Sequence, residues 1–202
     1  MATSPFSRIR VSTHEGVASV VIDNPPVNVM DVGLMTELVQ FLADVRDDAS
    51  TRVIVFESAN PDIFIAHVDM SLIDAPDAFD ALARQLPDLP NVFQAFAETL
   101  RNQPQVTIVK LKGLARGGGA EFVAAADLSF AAIGQAGLAQ CEALMGIIPG
   151  GAGTQLLLDR TTRGRALEIV LGADLFDAQA AERYGWVNRA LPADEMLSLI
   201  HI

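Results

Sequence analysis

The hydrophobic residues of this chain fall into short β-branched runs that alternate with segments of helical spacing. Three runs rich in valine and isoleucine predict buried strands, and one more predicts a short final strand: Gly16–Asp23, Arg52–Glu57, Val106–Leu111 and Trp186–Leu191. Apolar side chains at helical spacing predict a helix behind an N-cap at Asp31 and five further helices: Asn91–Asn102, Ala120–Ala126, Thr154–Leu158, Gly164–Leu171 and Asp177–Tyr184. Strands that alternate with helices indicate an α/β protein.

Two segments carry weaker patterns. Phe64–Asp69 has no clear periodicity and is interpreted as a loop that leads into a short helix. Ser71–Asp88 mixes proline, aspartate and alanine, which predicts a mobile helical excursion. Neither segment is a low-complexity linker, so a single domain is expected.

Composition narrows the function. The 202 residues are 50% hydrophobic and 19% charged, which is typical of one globular domain. A net charge of -11 argues against nucleic acid and anionic membranes as partners, although a local basic patch could still bind phosphate. Cys141 is the only cysteine, Met1–Arg10 lacks the apolar core of a signal peptide, and no run of about 18 apolar residues suggests a membrane span. A cytoplasmic, reducing location is therefore expected.

The candidate chemistry lies between Val106 and Thr154. There a strand, a glycine turn at Gly117–Gly119 and a helix start precede two isolated glutamates, Glu121 and Glu142. Phe122 stands where a dinucleotide-binding glycine motif needs its third glycine, and no Gly-Lys-Ser/Thr phosphate loop occurs. Taken singly, each glutamate has a bland alternative: Glu121 could merely favour the helix dipole, and Glu142 could be a solvated surface carboxylate.

Five segments in order resemble the enoyl-CoA hydratase/isomerase (crotonase) family, over roughly residues 8 to 195. Each motif is weak alone, and the ordered set is strong: Asn24–Asn28, Phe64–Asp69, Leu114–Glu121, Cys141–Gln155 and Asp177–Asn188. The resemblance implies a spiral of repeated β-β-α units, an acyl-CoA substrate, no metal or redox cofactor, and a homotrimer or dimer of trimers. Residues 1–195 would form the catalytic domain. Residues 196–202 would form an abrupt tail where family members usually continue with closing helices, either as a truncated product or as a variant without them.

The resemblance also assigns the site. The backbone N–H groups of Val68 and Gly118 would form an oxyanion hole for the thioester oxygen, and Glu121 and Glu142 would take the acid/base positions. Coenzyme A would lie against Val27 and the segment that contains Ala66, Asp69 and Met70. Gly118 suits this role, because its N–H lies at the positive end of a helix dipole and it has no side chain to block the thioester.

The expected reaction is hydration of a 2-enoyl-CoA, because two carboxyl groups can activate water and deliver a proton, and because the resemblance implies that isomerase-like members often keep only the position of Glu142. Isomerisation or thioester hydrolysis on the same oxyanion hole, and a non-catalytic acyl-CoA-binding subunit, remain alternatives. His67 departs from the family, which usually has glycine there. It is interpreted as a packing substitution in preference to a pocket residue that alters specificity.

Overall fold

The computed structural model describes residues 6–196 of the chain. Its strands and helices follow one another in this order: β1 (Ile9–His14), β2 (Val17–Ile22), α1 (Val32–Arg46), β3 (Val53–Ser58), β4 (Ile63–Ile65), α2 (Asp80–Ala83), α3 (Val92–Arg101), β5 (Val106–Leu111), β6 (Leu114–Arg116), α4 (Gly118–Ala125), β7 (Leu128–Ala132), β8 (Gly137–Ala139), α5 (Gly153–Arg160), α6 (Arg163–Gly172), β9 (Phe176–Asp177), α7 (Ala178–Tyr184) and β10 (Arg189–Leu191). Short 3-10 turns occur at Met70–Asp74, Pro76–Phe79 and Glu142–Met145.

The strands form two sheets that the chain visits alternately. The larger sheet has the order β1-β2-β3-β5-β7-β10 and is parallel except for the β1–β2 pair. The smaller sheet has the order β4-β6-β8-β9 and is parallel except at β9. Along the chain, β3 is followed by β4, β5 by β6 and β7 by β8, so each of these strands of the larger sheet precedes one strand of the smaller sheet. The α/β class and the spiral of β-β-α units are therefore confirmed.

Helix α4 runs through the middle of the core. All eight of its residues are buried, as expected for a helix whose sides are almost entirely apolar. The ring of Phe122 on this helix makes edge contacts with Phe56 and Phe64, at centroid distances of 5.1 and 5.7 Å. A polar group carried by α4 is consequently held inside the protein.

The ends of three neighbouring strands in the smaller sheet bring distant residues together. The carboxyl ends of parallel strands meet at one edge of a sheet. Val68 follows β4 by three residues, Gly118 follows β6 by two, and Glu142 follows β8 by three. The sheet therefore delivers three of the four main predicted site residues to one edge, and α4 carries the fourth, Glu121.

Most of the strongly patterned elements match their predictions. The N-cap of α1 is Asp31, whose carboxylate accepts a hydrogen bond from the Leu34 N–H at 2.7 Å. Two predicted boundaries are wrong. The Phe64–Asp69 segment is not a loop throughout, because β4 ends at Ile65. The final strand begins at Arg189, because the Trp186 N–H bonds to the Ala181 carbonyl and so continues the end of α7.

Ser71–Asp88 forms short helical turns rather than one helix. Of the predicted tail at residues 196–202, only Met196 lies in the described part, where it is fully buried. Among residues 6–196, no helix has the length and apolar character needed to cross a membrane.

Candidate active site

The predicted oxyanion hole consists of two backbone segments that face each other. Gly117 turns the chain out of β6 with a φ of 51°, and its N–H donates to the Ala139 carbonyl at 2.9 Å. Helix α4 then begins at Gly118. Opposite, the Met30 N–H donates to the His67 carbonyl at 2.9 Å and the Asp69 N–H to the Met30 carbonyl at 3.2 Å, which fixes Val68 between them.

Gly118 and Val68 lie close enough to serve one ligand atom. A Cβ added at Gly118 would lie 3.7 Å from the Val68 nitrogen and only 2.6 Å from Val68 Cγ2. Within residues 6–196, neither the Val68 nor the Gly118 N–H donates a hydrogen bond to another group of the protein. Two neighbouring free N–H groups, one of them at a helix N-terminus, suit a negatively charged oxygen.

Glu121 lies on α4 and is covered by the loop that precedes α5. Its side chain is only 5% exposed, and its Oε1 accepts hydrogen bonds from the N–H groups of Gly151 and Gly153, each at 2.8 Å. A Cβ at Gly151 would lie 2.5 Å from Glu121 Oε2, so a larger residue there would force the carboxyl group or the loop to shift. Burial raises the pKa of Glu121 to about 7, the nearby Glu142 raises it too, and the two N–H donors oppose the rise.

Glu142 approaches from the end of β8. Its side chain is 7% exposed, and its Oε2 accepts a hydrogen bond from Gln140 Nε2 at 3.0 Å. Its Oε1 faces Gly117, where an added Cβ would lie 3.0 Å away. Burial raises the pKa of Glu142, and the Gln140 amide partly offsets that rise.

These groups line one cavity of about 310 Å³. It contains both glutamates, the two predicted oxyanion-hole residues and a mostly apolar remainder: His67, Asp69, Met70, Leu72, Phe79, Asn91, Phe93, Gly117, Cys141, Met145, Ile147, Ile148, Gly150 and Gly151. No lysine or arginine lines it. This lining suits an uncharged group better than a phosphate.

The residues predicted to contact coenzyme A divide into two pairs. Asp69 and Met70 line the cavity. Val27 and Ala66 do not line it, and they are joined to each other by a backbone hydrogen bond of 3.2 Å. The contact of these four residues with coenzyme A stays a prediction.

His67 lines the cavity, so the structure favours the pocket alternative over the packing one. Its Nδ1 lies 2.6 Å from the Val68 carbonyl oxygen. His67 is not among the residues with positive φ, and the segment therefore accepts a side chain here without backbone strain.

Three contributors to the site were not predicted from the sequence. The N–H groups of Gly151 and Gly153 donate hydrogen bonds to Glu121. Both glycines lie within the Cys141–Gln155 motif that carries part of the family resemblance, but their contact with Glu121 was not predicted. Gln140 holds Glu142 from two residues away, and only its polarity beside a strand could have drawn attention to it. Within residues 6–196, no three His, Cys, Asp or Glu side chains are grouped as around a metal ion.

Comparisons with known proteins identify the family. A family model described as enoyl-CoA hydratase/isomerase matches residues 12–200. Carnitinyl-CoA dehydratase of Proteus mirabilis is 30% identical over 94% of this chain and 70% of its own length. Crotonyl-CoA hydratase of Syntrophomonas wolfei is 26% identical over 95% of this chain and 72% of its own. A crystal structure from Streptomyces avermitilis, provisionally described as an enoyl-CoA hydratase, is 60% identical with a TM-score of 0.93, over 97% of this chain and 72% of its own.

Proposed function

The chain belongs to the enoyl-CoA hydratase/isomerase family, and from this premise we propose that it adds water across the double bond of a 2-enoyl-CoA thioester. The observation that carries the proposal is the pair of buried carboxyl groups, Glu121 and Glu142, in one cavity with two free N–H groups. Hydration needs both a proton acceptor for water and a proton donor to carbon, and the pair can supply them.

In the proposed reaction, the N–H groups of Val68 and Gly118 donate to the thioester oxygen. Negative charge grows on that oxygen when water attacks C3, because the electrons of the double bond move toward the carbonyl group. Donors that are already in place typically contribute roughly 3–4 kcal/mol each to such a transition state. The backbone bridge from Met30 to the Val68 segment supports this preorganisation.

Proton transfer falls to the two carboxyl groups. One, in its ionised form, takes a proton from the attacking water, while the other, in its protonated form, gives a proton to C2. The product contains one more water than the substrate. After the reaction the first carboxyl group is protonated and the second is ionised, and proton exchange with solvent restores the starting state. The pKa of about 7 at Glu121 supports this sharing, because a group that titrates near neutrality can act in both forms.

The test monitors the loss of the conjugated thioester absorbance when the protein is mixed with crotonyl-CoA. The wild type should turn over, and Glu142→Gln should lower kcat at least about 10²-fold, the usual scale for a positioned acid or base. The exposed Glu182→Gln on α7 is the matched control. Turnover of a 3-enoyl-CoA without hydration would identify an isomerase, release of free coenzyme A a hydrolase, and binding without turnover a non-catalytic subunit.

A further inference from the structure

A second, much smaller cavity adjoins the reacting groups. Its volume is about 10 Å³, which is room for about one water molecule. It shares Phe93, Gly118, Glu121 and Gly151 with the large cavity. Its remaining walls are apolar and buried: Met30, Phe96, Ala97 and Phe122.

These walls are braced by aromatic contacts. The ring of Phe96 lies 5.9 Å from that of Phe122, which in turn meets two further rings in the core. Phe93 is half-buried and makes an edge contact with Phe79 at a centroid distance of 5.1 Å. Close-packed interiors do not open without cost, so the small cavity should keep its size when a substrate binds.

The position of the proposed reaction decides what must enter this space. The thioester oxygen would lie at the N–H of Gly118, and Glu121 stands one helical turn further along α4. Carbons C2 and C3 would then lie along this wall, where the two cavities meet. Coenzyme A is far too large for the small cavity and would lie in the larger one, which leaves the small one for the substituent on C3.

We propose that the substrate is a short enoyl-CoA with an acyl chain of about four carbons, and that Phe93 and Phe96 close the space that later carbons would need. This proposal rests on the proposed function. Phe93 is the specificity-determining residue that can be tested, because it lines both cavities and is only half-buried.

The experiment compares kcat/KM for four-carbon crotonyl-CoA and ten-carbon 2-decenoyl-CoA. The wild type should favour crotonyl-CoA at least about tenfold, within the range that one badly fitting group gives in a closed pocket. Phe93→Ala should reduce that preference at least about tenfold, and Phe93→Leu serves if the alanine variant does not fold. Phe176→Ala, which removes a half-buried ring remote from both cavities, should leave the preference unchanged.

Binding of saturated thioesters, which cannot be hydrated, tests the size limit separately from the proposed hydration. Without a size limit, decanoyl-CoA should bind more tightly than butyryl-CoA, because it buries more apolar surface. A protein that hydrates nothing yet binds butyryl-CoA more tightly contradicts the proposed function and supports the size limit. Equal turnover of both enoyl-CoA substrates, or an unchanged preference in Phe93→Ala and Phe93→Leu, overturns the size limit and leaves hydration standing.

An independent observation concerns His67. Its Nδ1 lies 2.6 Å from the Val68 carbonyl oxygen, and because a carbonyl only accepts, Nδ1 must carry the proton. The same segment is held from its other side by the two backbone hydrogen bonds to Met30. The ring thus restrains the peptide between Val68 and Asp69, which adjoins the peptide that carries the Val68 N–H.

We infer that His67 is a positioning residue for the oxyanion hole, a role that also rests on the proposed function. Its side chain keeps Val68 in the conformation that presents the N–H to the thioester oxygen. Loss of the ring would free the Val68–Asp69 peptide on this side, and the adjoining His67–Val68 peptide, which the Met30 N–H still holds, would present its N–H to the thioester less rigidly. The effect should fall on recognition of the carbonyl oxygen rather than on the rest of coenzyme A.

The test compares binding of butyryl-CoA with that of its thioether S-butyl-CoA, which lacks the carbonyl oxygen. The wild type should prefer the thioester about tenfold, the scale of one net hydrogen bond or slightly more. His67→Ala should lose most of that preference, and His67→Asn, which keeps an N–H donor, should regain part of it. His14→Ala is the exposed control. An unchanged preference in His67→Ala, or an asparagine variant no better than alanine, overturns this role whatever reaction the protein performs.

Discussion

Replacing Glu121 by glutamine should stabilise the protein above neutral pH while it slows the proposed reaction. Burial raises the pKa of Glu121 from 4.5 to about 7, which means that the folded state resists ionisation of this group. At about 1.36 kcal/mol per pKa unit, that difference corresponds to a cost of about 3 kcal/mol in the free energy of unfolding once the group is ionised. Glutamine keeps the shape, still accepts from Gly151 and Gly153, and never ionises.

The sign of the pH dependence is set by proton binding. Between pH 4.5 and about 7 the folded state holds a proton on Glu121 that the unfolded state has already released. The contribution of Glu121 to stability therefore falls as pH rises through this window and is constant above it. Relative to wild type, Glu121→Gln should be close to neutral near pH 4.5 and up to about 3 kcal/mol more stable near pH 8.5.

The assay is urea denaturation of wild type and Glu121→Gln at several pH values, with Glu182→Gln as an exposed control on α7. Only the difference between wild type and variant is used, because other groups also titrate over this range. Hydration of crotonyl-CoA by the same samples should show kcat lowered at least about 10²-fold. A difference in stability that is the same at pH 4.5 and pH 8.5 would refute the burial argument, and near-normal hydration would refute the role of Glu121 as an acid or base.

Three further predictions concern the site and the surface. Gly118→Ala should lower kcat about 10²- to 10³-fold, because the added Cβ would meet Val68 Cγ2 at 2.6 Å and disturb the oxyanion hole, whereas Gly164→Ala, where an added Cβ meets nothing within 4 Å, should not. The double variant Glu121→Gln/Glu142→Gln should hydrate crotonyl-CoA little more slowly than the worse single variant, because residues that act as a unit are not additive; multiplied losses would show that they act separately. The protein should sediment as a trimer or a pair of trimers, because a monomer would expose large apolar side chains such as Leu171 at 70%, and a monomer at high concentration would contradict this.

The sequence predicts best where a pattern repeats within one element. Helix α1 and strand β5 are examples, because their apolar spacing is long enough to exclude alternatives. The smaller sheet was largely missed, since β6 and β8 are three residues each and too short to show a period. Their burial comes from neighbours far along the chain.

At the site, the side-chain candidates could be identified from the sequence more easily than the backbone groups. Glu121 and Glu142 could be singled out as candidates because a glutamate is visible in the sequence. Their shared cavity and raised pKa depend on burial by other elements, as the 30-residue separation between Glu121 and Gly151 illustrates. The direction in which a backbone N–H points cannot be predicted from residue type. The position of His67 in the cavity lining could not be predicted from the sequence either.

The position of the two proposed oxyanion donors, at the ends of β4 and β6, affects how this protein can diverge. Both donors belong to the main chain, so among single substitutions only a proline deletes either N–H outright. The two proposed acid/base groups, in contrast, disappear with any change of their side chains. Point mutations can therefore change the reaction that follows polarisation of the thioester far more readily than they can abolish the polarisation. A new activity could arise in this scaffold by replacing Glu121 or Glu142 alone.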